Sequence, residues 1–148
     1  MPAILVDTNV LVYFYDQNSL EKQERAIMVL NRLREAGLGR LSTQILAEFV
    51  NAAMRKLDPA LTANQAYEQA SLFAASWPVL DLTPPIVLEA ARGVRDHGLA
   101  YYDAQIWAAA RLNQISVIFS EDFQDGQILE GVRFADPFSE MFDIEAWL

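Results

Sequence analysis

The chain has 148 residues, 53 % of them hydrophobic, and a formal net charge of −9. That is enough for one domain, residues 1–148, with a real core, and too apolar for a disordered chain. It has no cysteine and a single histidine, His97. This excludes disulfides, thiolate nucleophiles and Cys-ligated zinc, and leaves Ser-His-Asp or multi-histidine chemistry little to work with.

The acidic balance argues against gripping nucleic acid over a broad basic surface. It leaves room for an enzyme whose own carboxylates hold metal ions. No apolar run approaches the ~20 residues of a membrane span. The Met-Pro-Ala start is too short and uncharged for a signal peptide, so a cytoplasmic protein with no membrane partner is expected.

In chain order, Ala3 to Val6 reads as a strand buried on both faces, running into Asp7, Thr8 and Asn9. Asn9 to Tyr15 is a short apolar helix or turn, and Asp16 to Ser19 a loop. Ser19 is placed to cap a helix from Leu20 to Ala36, whose Ala26, Val29, Leu30 and Leu33 share one face. Arg25 and Arg32, seven apart, read as a solvated face or a surface for an acidic partner. Gly37-Leu38-Gly39 ends the helix. Its G-x-G precedes a strand, whereas a phosphate-binding turn must follow one, so a dinucleotide site is rejected.

Arg40 to Ser42 is a second strand. Ser42 or Thr43 caps a helix to Leu57, and Thr62 starts another to Ala75. Val79 to Leu82 is a third strand. Pro84-Pro85 opens a helix to His97 with Val87, Ala90, Ala91 and Val94 inward. A helix from Tyr102 to Asn113, a strand Ser116 to Phe119, a turn at Asp125-Gly126 and a strand Val132 to Ala135 follow. The tail Phe138 to Leu148 mixes acids with large apolar groups and is expected to pack back on the domain, or to serve a partner contact. Alternating strands and helices imply an α/β fold, with a central, mainly parallel sheet of four to five strands flanked by helices in three layers.

Four acids fall where carboxylates are costly or end-exposed. Asp7 ends an apolar strand. Asp122 follows another, Val117-Ile118-Phe119, through Ser120-Glu121, with Glu121 expected to point elsewhere. Glu48 lies in the stripe Ile45, Phe49, Ala52, Ala53, and Asp103 heads the stripe Ile106, Trp107, Ala110. Taken singly, each has a structural reading: Asp7 or Asp103 as a helix cap, Asp122 as a turn stabiliser, Glu48 paired with an arginine such as Arg111. Taken together, four acids from separate segments at one sheet edge suit Mg²⁺ or Mn²⁺ and phosphoryl chemistry.

The stretches Val6-Asp7-Thr8-Asn9-Val10, Thr43-x4-Glu48, Tyr102-Asp103-Ala104 and Ser120-Glu121-Asp122-Phe123-Gln124-Asp125-Gly126 resemble the PIN domain, more narrowly its bacterial VapC-type toxins. The resemblance implies a PIN-like three-layer fold and a metal-dependent endoribonuclease. It also implies a homodimer neutralised by a cognate antitoxin, with operator DNA bound only through that antitoxin. By matching position, Asp7, Glu48, Asp103 and Asp122 would be the catalytic and metal-binding acids for Mg²⁺, with Mn²⁺ as substitute. Asn9, Ser120 and Asp125 would support them. Tyr13, Tyr15, Tyr101 and Tyr102 are candidates for stacking RNA bases, and Arg40, Arg92 and Arg95 for phosphate contact. Two alternatives are kept. One is an aspartyl-phosphate phosphatase, which commonly needs a second acid where Asn9 stands. The other is a non-catalytic regulatory or binding module of a toxin-antitoxin pair.

Overall fold

The structure, a computed structural model, describes residues 2–148. The first strand, β1 (Ile4–Val6), is wholly apolar and fully buried. The reason is its position: it lies between two parallel neighbours in a sheet flanked by helices and has no face to turn to water. Asp7 caps the short helix α1 (Thr8–Tyr13), and α2 (Leu20–Ala36) follows, burying Ala26, Val29, Leu30 and Leu33. Ser19 does not cap α2 with its side chain; its backbone carbonyl alone accepts, from the Gln23 N–H.

Next come β2 (Gly39–Ser42) and α3 (Thr43–Arg55), the latter capped by the Ser42 hydroxyl, which accepts from the Ile45 N–H at 3.2 Å. Gly39 is a packing glycine: a Cβ there would fall 1.8 Å from the Trp77 ring. A capping box between Thr62 and Gln65 starts α4 (Ala63–Ser76), which leads to β3 (Val79–Leu80).

The helix α5 (Pro84–His97) buries Ile86, Ala90 and Gly93, not the expected Val87, Ala91 and Val94. Its neighbour α6 (Tyr101–Leu112) is buried without interruption from Ala104 to Ala110. The two approach closely through small residues: a Cβ on Gly93 would sit 2.8 Å from the Trp107 ring. Contact is centred on that glycine, so the flanking valines rotate toward solvent.

Last come β4 (Val117–Phe119), β5 (Ile128–Leu129), β6 (Val132–Ala135) and a 3₁₀ turn, Ile144–Trp147. The sheet order is β3-β2-β1-β4-β6-β5, parallel except for the β5–β6 pair. Six strands replace the expected four to five. The extra one, β5, has only two residues and turns into β6 through Glu130 and Gly131, both at positive φ. Glu130 ties this turn to the helices by pairing with Arg92, Arg111 and His97.

The tail folds back onto the sheet. Arg25 donates to the Pro137 and Ser139 carbonyls, and Arg32 grips Glu145 at 2.7 and 3.0 Å. Phe142 and Trp147 pack edge-on against Phe119. These two arginines thus bind the chain's own tail rather than forming a bare solvated face.

Candidate active site

The site begins where two parallel strands end side by side. Val6 of β1 pairs with Phe119 of β4, and the Asp7 N–H donates to the Phe119 carbonyl at 2.9 Å. The next residues, Asp7 and Ser120, therefore meet at the carboxyl edge of the sheet, where open α/β folds bind ligands. Asp7 is 3 % exposed. One of its oxygens accepts from the Thr8 N–H at 2.7 Å, the capping bond of α1; the other accepts from the Ser120 hydroxyl, also at 2.7 Å. Asp7 is thus both a helix cap and a lining residue of the cleft.

The Asn9 side-chain nitrogen joins the two strand ends. It donates to the Ser120 hydroxyl at 3.1 Å and to Asp122 at 3.2 Å, with Asp7 farther at 3.4 Å. Two protons serve three acceptors, and Asp7 receives the weakest share. The Ser120 hydroxyl also accepts from the Asp122 N–H at 3.1 Å, which shapes the turn that carries Asp122.

Glu48 and Asp103 come from α3 and α6 and line the same cleft, of about 420 Å³, as Asp7 and Asp122. Glu48 does not lie inside the buried stripe of α3. It is exposed on the flank, with its carboxylate held by the Gln44 side-chain nitrogen at 2.7 Å. It does not pair with Arg111, which binds Glu89 and Glu130 instead. Asp103 is half-buried in the first turn of α6, whose cap is Ala100, so Asp103 is not itself the cap.

The acids perturb one another. Burial, reinforced by Asp122 and Glu48, pushes Asp7 up to about 7 from 3.8, against the lowering pull of Ser120 and Thr8. Glu48, exposed as a residue but with its carboxyl end part-buried against Gln44, is raised by that partial burial and by Asp103, and Asp103 by burial and Asp122. Such mutual elevation marks a cluster short of positive charge.

Sequence reading missed several residues of the cleft: Asp16, Asn51 and Lys56 line it, and Gln44 supports it from behind. Glu121 also lines it, but Lys22 holds its carboxylate at 2.8 Å. Asp125 lies outside the cleft, accepting from the Asp136 N–H at 3.0 Å. Of the aromatic candidates, Tyr13 lines the cleft and Tyr102, next to Asp103, is 67 % exposed. Tyr15 packs on Phe49, and Tyr101 donates to Gln105. None of the three arginine candidates lines it: Arg40 donates to the carbonyls of Gly37 and Gly39, Arg92 pairs with Glu89, Asp96 and Glu130, and Arg95 pairs with Asp96.

The donor set suits a hard divalent cation: carboxylates, an amide and hydroxyls, all oxygen. Two buried oxygens here, Asn9 Oδ1 and Thr8 Oγ1, have no hydrogen-bond partner, and Asn9 Oδ1 belongs to the residue that bridges Asp7 and Asp122. Among the described residues, no three acids are gathered closely enough to hold an ion as they stand.

By sequence, no curated protein matches. Similar solved structures include a toxin-antitoxin complex from Klebsiella pneumoniae, with TM-score 0.65 and 17 % identity over 91 % of this chain and 98 % of that one. A sarcin-ricin loop cleaving VapC toxin of Mycobacterium tuberculosis has TM-score 0.61 and 20 % identity, over 88 % and 99 %. DNA-bound VapBC from Salmonella typhimurium has TM-score 0.65 and 18 % identity, over 93 % and 99 %. These likenesses establish a shared fold. The family profile of the PIN domain matches residues 4–124, which hold Asp7, Glu48, Asp103 and Asp122 alike, and the chain belongs to the PIN domain family.

Proposed function

We propose that this chain is a metal-dependent endoribonuclease, the toxin of a VapBC-type toxin-antitoxin pair. One observation carries the reading: four acids from four separate segments line a single cleft, and the Asn9 amide links Asp7 to Asp122 at its base. Asp7 and Asp122 would be the primary ligands of Mg²⁺ or Mn²⁺. Glu48 and Asp103 complete the site, directly or through water. When bound, such an ion acidifies water and neutralises charge on a phosphodiester.

The chain's own groups do the rest. Ser120 and Thr8 fix the Asp7 carboxylate, Asn9 fixes Asp122, and Gln44 fixes Glu48. Lys56 makes no ion pair among the described residues and supplies a cation at the cleft wall for an RNA phosphate. Tyr13 offers a ring in the cleft for a base.

The substrate class is RNA, in keeping with the Mycobacterium toxin, which cleaves the sarcin-ricin loop. The partner is a cognate antitoxin, in keeping with the complexes from Klebsiella and Salmonella, with operator DNA reached through it and the chain itself a homodimer. Asp125 supports the turn before the tail rather than the cleft. The tail packing on Phe119 supports one domain through Leu148. No described helix is long and apolar enough to cross a membrane, and we place the activity in the cytoplasm, with its RNA substrate. The aspartyl-phosphatase reading is disfavoured because Asn9 supplies an amide where that chemistry needs an acid.

The test is cleavage of RNA by purified chain with Mg²⁺, with EDTA, and with Asp7→Asn. Cleavage is expected only in the first case. Equal cleavage by Asp7→Asn, free of contaminating nuclease, refutes the proposal. Co-purification with the product of the adjacent open reading frame tests the antitoxin.

A further inference from the structure

Behind the cleft runs a buried chain of side-chain hydrogen bonds that joins α3 to α6. Gln44 lies one turn before Glu48 and is 9 % exposed. Its side-chain nitrogen donates to Glu48 Oε1 at 2.7 Å and to the backbone carbonyl of Tyr102 at 2.9 Å. Tyr102 immediately precedes Asp103. Gln44 Oε1 accepts from the Gln105 side-chain nitrogen at 2.8 Å, and Gln105 Oε1 accepts from the Tyr101 hydroxyl at 2.9 Å.

The direction of every bond in this chain is set by its end. A carboxylate and a backbone carbonyl accept only, so the Gln44 nitrogen must face them with its two protons. Its oxygen then faces Gln105, whose nitrogen must face back, and the Tyr101 hydroxyl is left to donate. Each amide has one arrangement that satisfies its neighbours.

We propose that Gln44 is a positioning residue that sets Glu48 and Asp103 relative to each other. A single NH₂ group holds the carboxylate of one acid and the backbone that carries the other. Gln105 and Tyr101 lock the orientation of that group. Among the described residues, no other side-chain hydrogen bond or ion pair ties Glu48 to Asp103 or to the backbone that carries it. This role rests on the metal-dependent nuclease reading above, in which both acids serve one ion. Groups that support ligands from behind typically carry about 10- to 100-fold in metal affinity.

The experiment uses the full chain with Gln44→Met, Gln105→Met and Tyr101→Phe. Methionine keeps the volume and removes the donor. Mn²⁺ affinity is measured by calorimetry well below each variant's unfolding temperature, and RNA cleavage is resolved into kcat and KM. Gln44→Met is expected to weaken Mn²⁺ binding by about tenfold or more and to lower kcat with little change in the KM for RNA. The loss should decline along the chain, from Gln44 through Gln105 to Tyr101. It should also shrink when Gln44→Met is made in Glu48→Ala.

A purely structural role would instead injure Gln105→Met, the more buried position, at least as much. That ranking, wild-type Mn²⁺ affinity in a folded Gln44→Met, or a loss undiminished in Glu48→Ala overturns the proposal. Should Gln44→Met fail to fold, Gln105→Met decides it: a folded Gln105→Met with unchanged Mn²⁺ affinity refutes the lock. A wild-type chain that binds no Mn²⁺ and cuts no RNA overturns the nuclease reading and this role together. A wild-type chain that does both, beside an unimpaired Gln44→Met, removes only the role of Gln44.

Discussion

Replacing Asp7 by asparagine should stabilise the metal-free protein, and by an amount that depends on pH. Asp7 is buried among like charges, and its carboxyl is raised to about 7 from 3.8. The folded state thus holds the proton more tightly than the unfolded chain does. Below about pH 4 both states are protonated and Asp7 costs nothing. As pH rises to about 7 the unfolded chain ionises first, so stability falls. Above that the full penalty stands, about 4 kcal/mol for a shift of this size. The asparagine variant would escape it. Asparagine caps helices as well as aspartate does, so the bond from the Thr8 N–H survives. The assay is urea unfolding in EDTA at a series of pH values from about 4 to about 8. The variant should match the wild type near pH 4 and exceed it by about 4 kcal/mol at about pH 8. A gap that is absent at the alkaline end, or that does not change with pH, refutes the account of Asp7 as a charge held against its environment.

Divalent metal should narrow that gap: Mg²⁺ or Mn²⁺ at about a hundred times its Kd should stabilise the wild type by about 2.7 kcal/mol and Asp7→Asn far less, read as thermal shifts at mildly alkaline pH. Asn9→Ala removes the nitrogen shared by Ser120, Asp122 and Asp7. It should abolish cleavage and cost about 1–3 kcal/mol in urea unfolding, whereas unchanged cleavage would deny Asn9 its bridging role. Gly93→Ala forces a Cβ to 2.8 Å from the Trp107 ring. It should cost about 1–3 kcal/mol yet leave kcat intact at a temperature where the variant is folded.

What the sequence made legible was whatever local spacing encodes. The strand ends before Asp7 and Asp122 follow from apolar runs that stop at polar residues. The buried face of α2 is the helical stripe of Ala26, Val29, Leu30 and Leu33. Periodicity misled where neighbours, not the helix itself, choose the face. On α5, the fit of Gly93 to Trp107 turned Val87 and Val94 outward. On α3, Glu48 is three residues from Ile45, about a sixth of a turn short of its line. That offset is enough to place it on the exposed flank. The two-residue β5 is too short to carry any alternation, and Gln44 looks like an ordinary surface residue until Gln105, far along the chain, meets it.

The adjacent acids Glu121 and Asp122 show how such distant contacts complete a pattern the sequence only begins. Both follow the same strand, and alternation alone says that they diverge, not which one joins the site. Lys22 of α2 takes Glu121, while Asn9, just beyond the neighbouring strand end, takes Asp122. One carboxylate is neutralised by a full charge and the other is held only by a neutral amide. Asp122 is therefore oriented without an ion pair, as Asp7 is by a hydroxyl and a backbone N–H, its closest donors. At Asp7, Asp122 and Glu48 alike, neutral donors within the chain orient the carboxylate without an ion pair, which is the arrangement the proposed metal-dependent reading requires.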